Sequence, residues 1–206
     1  MVKGLLSADD ARQIESAVAQ IEKESATELV VAIVAKSGDY WLFRALAAFA
    51  WALGAALALS HFTSLPSDLC VLAEVPVGLG VFALFGLPAL HRRLIPPAQA
   101  DRAVQERAFA LFAERGVHRT RDRTGLLLLI SELEHRVVIL GDAGLHARVG
   151  DAGWAEHVQH VVAAIRRGEA VRGILEVIRD LEPVLVEIAP IRGDDSNELP
   201  NALVRG

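Results

Sequence analysis

A single cysteine, Cys70, stands among the 206 residues, so the chain has neither an intramolecular disulfide nor a cysteine-built metal cluster. It lies in an apolar stretch, where a free thiol behaves as a small hydrophobe. Charge is not gathered in a block of either sign. The formal net charge is −5, and without the basic stripe of a nucleic-acid binder, nucleic acid is excluded as a partner. A Gly-rich phosphate loop, a nucleophile elbow and a metalloprotease motif are also missing, as is any internal repeat. The opening residues, Met1 to Asp10, lack the apolar core and small-residue cleavage site of a secretory signal, so the N-terminus is expected to begin in the cytoplasm.

What the chain has in excess is local hydrophobicity. Mean hydropathy is +0.35 with 52% hydrophobic residues, against about 45–50% apolar residues, Gly included, in soluble domains. Charge almost vanishes between Trp41 and Leu90. Residues 41–62, WLFRALAAFAWALGAALALSHF, and 69–90, LCVLAEVPVGLGVFALFGLPAL, each have the length that crosses a hydrocarbon core of about 30 Å at about 1.5 Å per residue. The connector from Thr63 to Asp68 suits a tight turn, and the two segments are expected to form a transmembrane hairpin. Arg44 sits in the first turn of its span and is expected to snorkel to the interface. Glu74 falls near the opposite face, too far in depth to pair with it. Pro76 and Pro88 can kink the second span, and Gly54, Gly78, Gly80 and Gly86 permit close helix contact, within the hairpin or in a homo-oligomer. Lys36, Arg44 and His91-Arg92-Arg93 flank the spans while the connector has no Lys or Arg. Both termini are therefore expected in the cytoplasm, with two passes through the cell (inner) membrane.

The remainder reads as one domain divided by the hairpin. Residues 1–36 hold a helix from the Ser7 cap to about Glu24, then the apolar, β-branched strand Thr27 to Val34. Residues 98–189 follow the Pro96-Pro97 boundary: a helix from Ala98 to Arg115, strands Gly125–Ser131 and Arg136–Leu140 joined as an antiparallel hairpin, a helix from Asp151, and another from Glu169 to Ile188. Strand Thr27–Val34 is expected beside the later strands, giving an α/β sandwich. Residues 190–206 are polar and expected to be disordered.

Three stretches carry a resemblance: Leu111 to Val117; Thr124 to Ser131; and Glu134 to Leu145, which runs through Gly141-Asp142-Ala143-Gly144-Leu145. In order and spacing they resemble the TPM domain family, named for thylakoid-lumen, photosystem-repair and worm receptor-modulator members. The resemblance is strongest from Phe109 to about Leu181, and Leu5-Leu6-Ser7 and Glu28 to Val34 fit the family's beginning. It implies a three-layer α/β/α sandwich, and many members are tethered by membrane helices. Some are associated with divalent-metal binding and acid-phosphatase activity. This chain has Arg123-Thr124 where the family usually has an amide or acidic pair, and His146 where its loop commonly has Glu.

Asp122, Asp142 and Asp151 form the best oxygen-ligand set for a divalent cation such as calcium. Arg119, Arg121 and Arg123 crowd it and would oppose a cation or attract an anion. His157 and His160 stand at i and i+3, within reach of His146, but without an acidic partner of defined spacing they are read as surface histidines. The favoured reading is a membrane protein that presents its α/β domain to the cytoplasm as a non-catalytic interaction or regulatory module, with the bilayer and an unidentified protein as partners. The alternative is a metal-dependent, phosphatase-like hydrolase.

Overall fold

The computed structural model describes residues 7–167, 169–191, 198–199 and 202–205. They divide into two units, one from residues up to Ser37 and from Asp101 onward, the other Gly38–Ala100.

The first unit is mixed α/β. Helix α1 (Ala8–Glu24) starts at a capping box in which Ser7 Oγ accepts from the Asp10 amide and the Asp10 carboxylate accepts from the Ser7 amide. That satisfies two groups a helix N-terminus leaves open. Strand β1 (Glu28–Val34) pairs in parallel with β2 (Gly125–Ser131), which pairs antiparallel with β3 (Arg136–Gly141). Strand β4 (Val204–Arg205) adds to the other edge of β1, giving the order β3-β2-β1-β4. The expected neighbourhood of β1 with the later strands is thus observed. The reading of 190–206 as a disordered tail missed β4. Of that segment, residues 192–197 lie outside the described residues.

The unbroken apolar runs of β1 and β2 follow from pleating, which sends alternate side chains to opposite faces. Leu29, Val31, Ile33, Leu126, Leu128 and Ile130 join one cluster with Ile14 and Val18 of α1, Trp154 and Val161 of α7 (Ala143–Arg166), and Ile174 and Leu181 of α8 (Ala170–Ile188). Val30, Ala32, Val34, Leu127 and Leu129 join the other with Val104, Ala108 and Leu111 of α6 (Pro97–Glu114). Each face of the sheet therefore has its own core.

Helix α7 departs from expectation in its first part only. The sequence reads Asp142 to His146 as a loop and starts a helix at Asp151. Residues 143–149 are already helical, Gly150 at φ 69° and ψ 171° breaks the helix, and it resumes at Asp151 as expected. A glycine takes that left-handed conformation without the steric cost a Cβ would bring.

In the second unit, α2 (Trp41–Phe62) is one helix as expected. The stretch expected as one helix over 69–90 is three: α3 (Ser67–Leu72), α4 (Glu74–Leu84) and α5 (Pro88–Leu94). Proline accounts for both breaks, since Pro76 has no N–H for the Leu72 carbonyl and is tolerated only because the break leaves it in a first turn. Pro88 likewise opens α5. Ala48, Ala52 and Ala56 form the buried stripe of α2, and a Cβ built on Gly78 would lie 3.6 Å from that of Ala52. Arg44 does not reach outward. Its Nη2 donates to the Phe82 carbonyl at 2.8 Å, and its guanidinium lies 4.2 Å from the centre of the Phe82 ring. It thereby occupies one of the carbonyls that the end of α4 leaves open.

Candidate functional site

The starts and ends of the resemblance-bearing stretches around Thr124-Gly125 and Gly141 to Leu145 meet at one end of the sheet, where β2 begins and β3 passes into α7. Arg123 holds a left-handed conformation at φ 57°. Thr124 donates its amide to Thr120 Oγ1 at 3.1 Å and its hydroxyl to the Ala26 carbonyl at 2.6 Å. Two glycines here are demanded by space. A Cβ on Gly125 would fall 2.1 Å from the Val117 carbonyl oxygen, and one on Gly144 would fall 2.6 Å from that of Arg123.

Asp142 extends the β3 ladder by donating its amide to the Gly125 carbonyl at 2.8 Å, and then caps α7, its Oδ1 accepting from the Ala143 amide at 2.7 Å. The Gly144 amide goes to the Arg123 carbonyl at 3.1 Å, and those of Leu145 and His146 go to the Asp142 carbonyl. All four leading amides of the helix are engaged within the protein, so its N-terminus presents none of them to an anion. Asp142 is 7% exposed, its Oδ1 lies 3.7 Å from Arg123 Nη1, and its Oδ2 is buried without a hydrogen-bond partner.

Of the three expected metal ligands, Asp142 is buried here and Asp122 is exposed on the adjoining loop. Asp151 follows the kink in α7, and its side chain lies outside the described residues. Among the described residues no three His, Cys, Asp or Glu side chains gather to hold a metal, whereas calcium takes about six to eight oxygens. The Arg121 amide donates to Glu198 Oε2 at 3.0 Å, while Glu28 accepts from the amides of Glu198 and Leu199 at 2.8 and 3.1 Å. His157 is half-buried on α7, and the side chain of His160 is outside the described residues.

A second polar cluster, at the opposite end of β2, escaped the sequence reading, which took Glu132 to His135 for a mere connector. Glu134 is buried and accepts from Ser131 Oγ at 2.6 Å and from the Ser37 amide at 2.9 Å, with the two serine hydroxyls 2.7 Å apart. The Glu132 and Leu133 amides donate to the carbonyls of Val34 and Ala35, each at 3.0 Å. Burial pushes the Glu132 carboxyl above the ordinary glutamate range. The available signal was the pair of acids in a four-residue turn that follows the fully buried strand β2, where neither can be fully solvated.

The α/β unit with its mixed sheet, and the apolar helices inserted between β1 and α6, define a class of small α/β modules interrupted by an apolar helical segment. Residues 92–184 match the model of the TPM domain. The NMR structure of the BA42 protein from the psychrophilic bacterium Bizionia argentinensis is similar in fold. Its TM-score is 0.63 at 18% identity, covering 100% of this chain and 99% of that one. At that identity the likeness speaks for the fold alone. No curated protein matches the chain.

Proposed function

We propose that the chain is an integral membrane protein whose hairpin crosses the bilayer twice and holds a three-layer α/β/α TPM domain in the cytoplasm, as a non-catalytic interaction or regulatory module. One observation carries the membrane reading. Helix α2 (Trp41–Phe62) and the helical stretch Ser67–Leu84 formed by α3 and α4 are long and apolar enough to span, and their large side chains point outward, with Trp51, Phe62 and Leu79 at 62%, 82% and 67% exposure. Apolar surface on that scale needs lipid or a partner to cover it. Separate cores on the two faces of the sheet support the layered sandwich, and the flanking basic residues support the orientation. The engaged amides of α7 and the guanidinium beside Asp142 favour a module that acts through a protein partner, a second copy of the chain included, over one that turns over a phosphorylated substrate.

Topology is tested in a Cys70→Ala background with single cysteines at Ser64, in the connector, or Ser16, on the exposed side of α1. A membrane-impermeant maleimide should label Ser64→Cys in intact cells and Ser16→Cys only after lysis. Release of the protein by alkaline carbonate without detergent would overturn the integral reading, and the reverse labelling pattern would overturn the orientation.

A second reading, the metal-dependent hydrolase, is favoured by the unpartnered buried Oδ2 of Asp142. Titrating the detergent-purified protein with Ca²⁺, Mg²⁺, Mn²⁺ and Zn²⁺ decides it. Saturable binding that disappears in Asp142→Asn, which keeps the helix cap, would support a cation at Asp122, Asp142 and Asp151, and its absence would leave the module reading.

A further inference from the structure

Where the parallel strands β1 and β2 end, a cavity of about 210 Å³ is walled by Ile33, Ile130, Ile165 and Ile174, with Glu132 and His135 contributed by the β2–β3 turn. Ligands of open α/β sheets bind beyond the carboxyl ends of the strands, and this cavity stands at that place, at the far end of the sheet from Asp142. Its volume is below the roughly 300–1,000 Å³ of drug-sized sites, so its ligand is small. The walls are aliphatic and come from four elements, which favours an alkyl chain. The polar part is one-sided. Glu132 is half-buried, and its Oε1 is shut from solvent without a hydrogen-bond partner, so that oxygen has lost its water without a replacement. A water filling the space needs about two to four polar partners, and the side chains of the wall offer them only at Glu132 and His135, the rest being aliphatic.

An anionic ligand would meet the carboxylate with like charge. A cationic one supplies the donors the carboxylate lacks, in a charge-assisted bond about twice as strong as a neutral one. We propose that this cavity binds a small primary alkylammonium, its chain among the isoleucines and its N–H groups on the Glu132 carboxylate. The upward push on the Glu132 carboxyl is consistent with an acid whose charged form is under-compensated until such a ligand arrives. This site is independent of the membrane reading and of the fate of Asp142.

The test uses the full chain in detergent micelles, labelled with ¹³C at the isoleucine methyls and titrated with n-butylammonium, n-butanol and n-butyrate. Butylammonium should shift Ile33, Ile130, Ile165 and Ile174 saturably while Ile95, in the other unit, stays still. Glu132→Gln should weaken binding at least tenfold, and Ala170→Leu, which fills the cavity from its edge, should abolish it. Unmoved Ile14 and Ile21 methyls in both variants confirm that the fold persists. The proposal is overturned by the absence of saturable shifts, by equal binding of butanol or butyrate, by undiminished binding in Glu132→Gln, or by parallel movement of Ile95 that reveals partition into the micelle.

Discussion

The two units of this chain are built from similar residues put to opposite use. Between β1 and β2, leucines and valines are covered on both faces of a sheet, and Leu126 to Leu129 are fully buried. In α2 and α4 the same residue types look outward, and the buried positions of α2 are alanines. The first unit is held by apolar side chains meeting one another. The second is held by close backbone approach along small residues, as at Ala52 and Gly78, and by polar closures such as Arg44 on the Phe82 carbonyl. That is how helices associate when lipid removes the hydrophobic drive between them. Composition alone does not separate the two units, but the size of the residue turned inward does.

The sharpest break of this contrast is a pair of truncations. Leu128→Ala should cost the α/β unit about 2–5 kcal/mol, the range for emptying a packed leucine site. Leu57→Ala, at an exposed position of α2, should change that unit's stability by less than about 0.5 kcal/mol. Denaturation followed by Trp154 fluorescence, with Trp41 and Trp51 replaced by Phe, reads both. Equal losses would mean that α2 belongs to the same core. Next comes Glu134→Ala, which strips the acceptor from Ser131 Oγ and the Ser37 amide. A loss of about 1.5–3 kcal/mol is expected, as for hydrogen bonds to a charged group, and an unchanged midpoint would show that the cluster contributes nothing to the fold.

Smaller again is Asp142→Ala, expected to cost about 0.5–2 kcal/mol as a lost helix cap, with Asp142→Asn near wild type because asparagine caps equally well. If Asn is as damaging as Ala, the negative charge matters beyond the cap, which would sharpen interest in the unpartnered Oδ2. Here the sequence was legible in kind and misread in place. The resemblance marks the Asp142-Ala143-Gly144 step but places it in a loop, and the seven residues from Ala143 to Val149, before the break at Gly150, are too few to show a helical period. The strands were legible because β-branched and leucine runs of that length, covered on both faces, have few other uses. The tail strand was not, because two residues carry no period, and β4 forms only where the edge of β1 offers it a ladder. The Ser37–Ser131–Glu134 cluster was illegible for a different reason: Ser37 and Ser131 stand far apart in sequence, and only the parallel pairing of β1 with β2 brings their hydroxyls together.

The smallest expected effect concerns Glu132 and the pH dependence of the α/β unit. Burial raises the carboxyl above its ordinary value of 4.5, so over the interval above that value the folded state holds a proton that the unfolded state has released. Stability then falls as pH rises through this window, because the unfolded state binds fewer protons. The contribution of Glu132 is complete below pH 4.5 and is lost as pH climbs through the folded-state value. Glu132→Gln should remove this slope while leaving stability at low pH unchanged, which chemical denaturation between pH 4 and 7 detects. An alkylammonium at saturation should flatten the same slope in the native chain, since a cation on the carboxylate favours its charged form. A slope that survives the substitution would assign it to another carboxyl and leave Glu132 an ordinary turn residue.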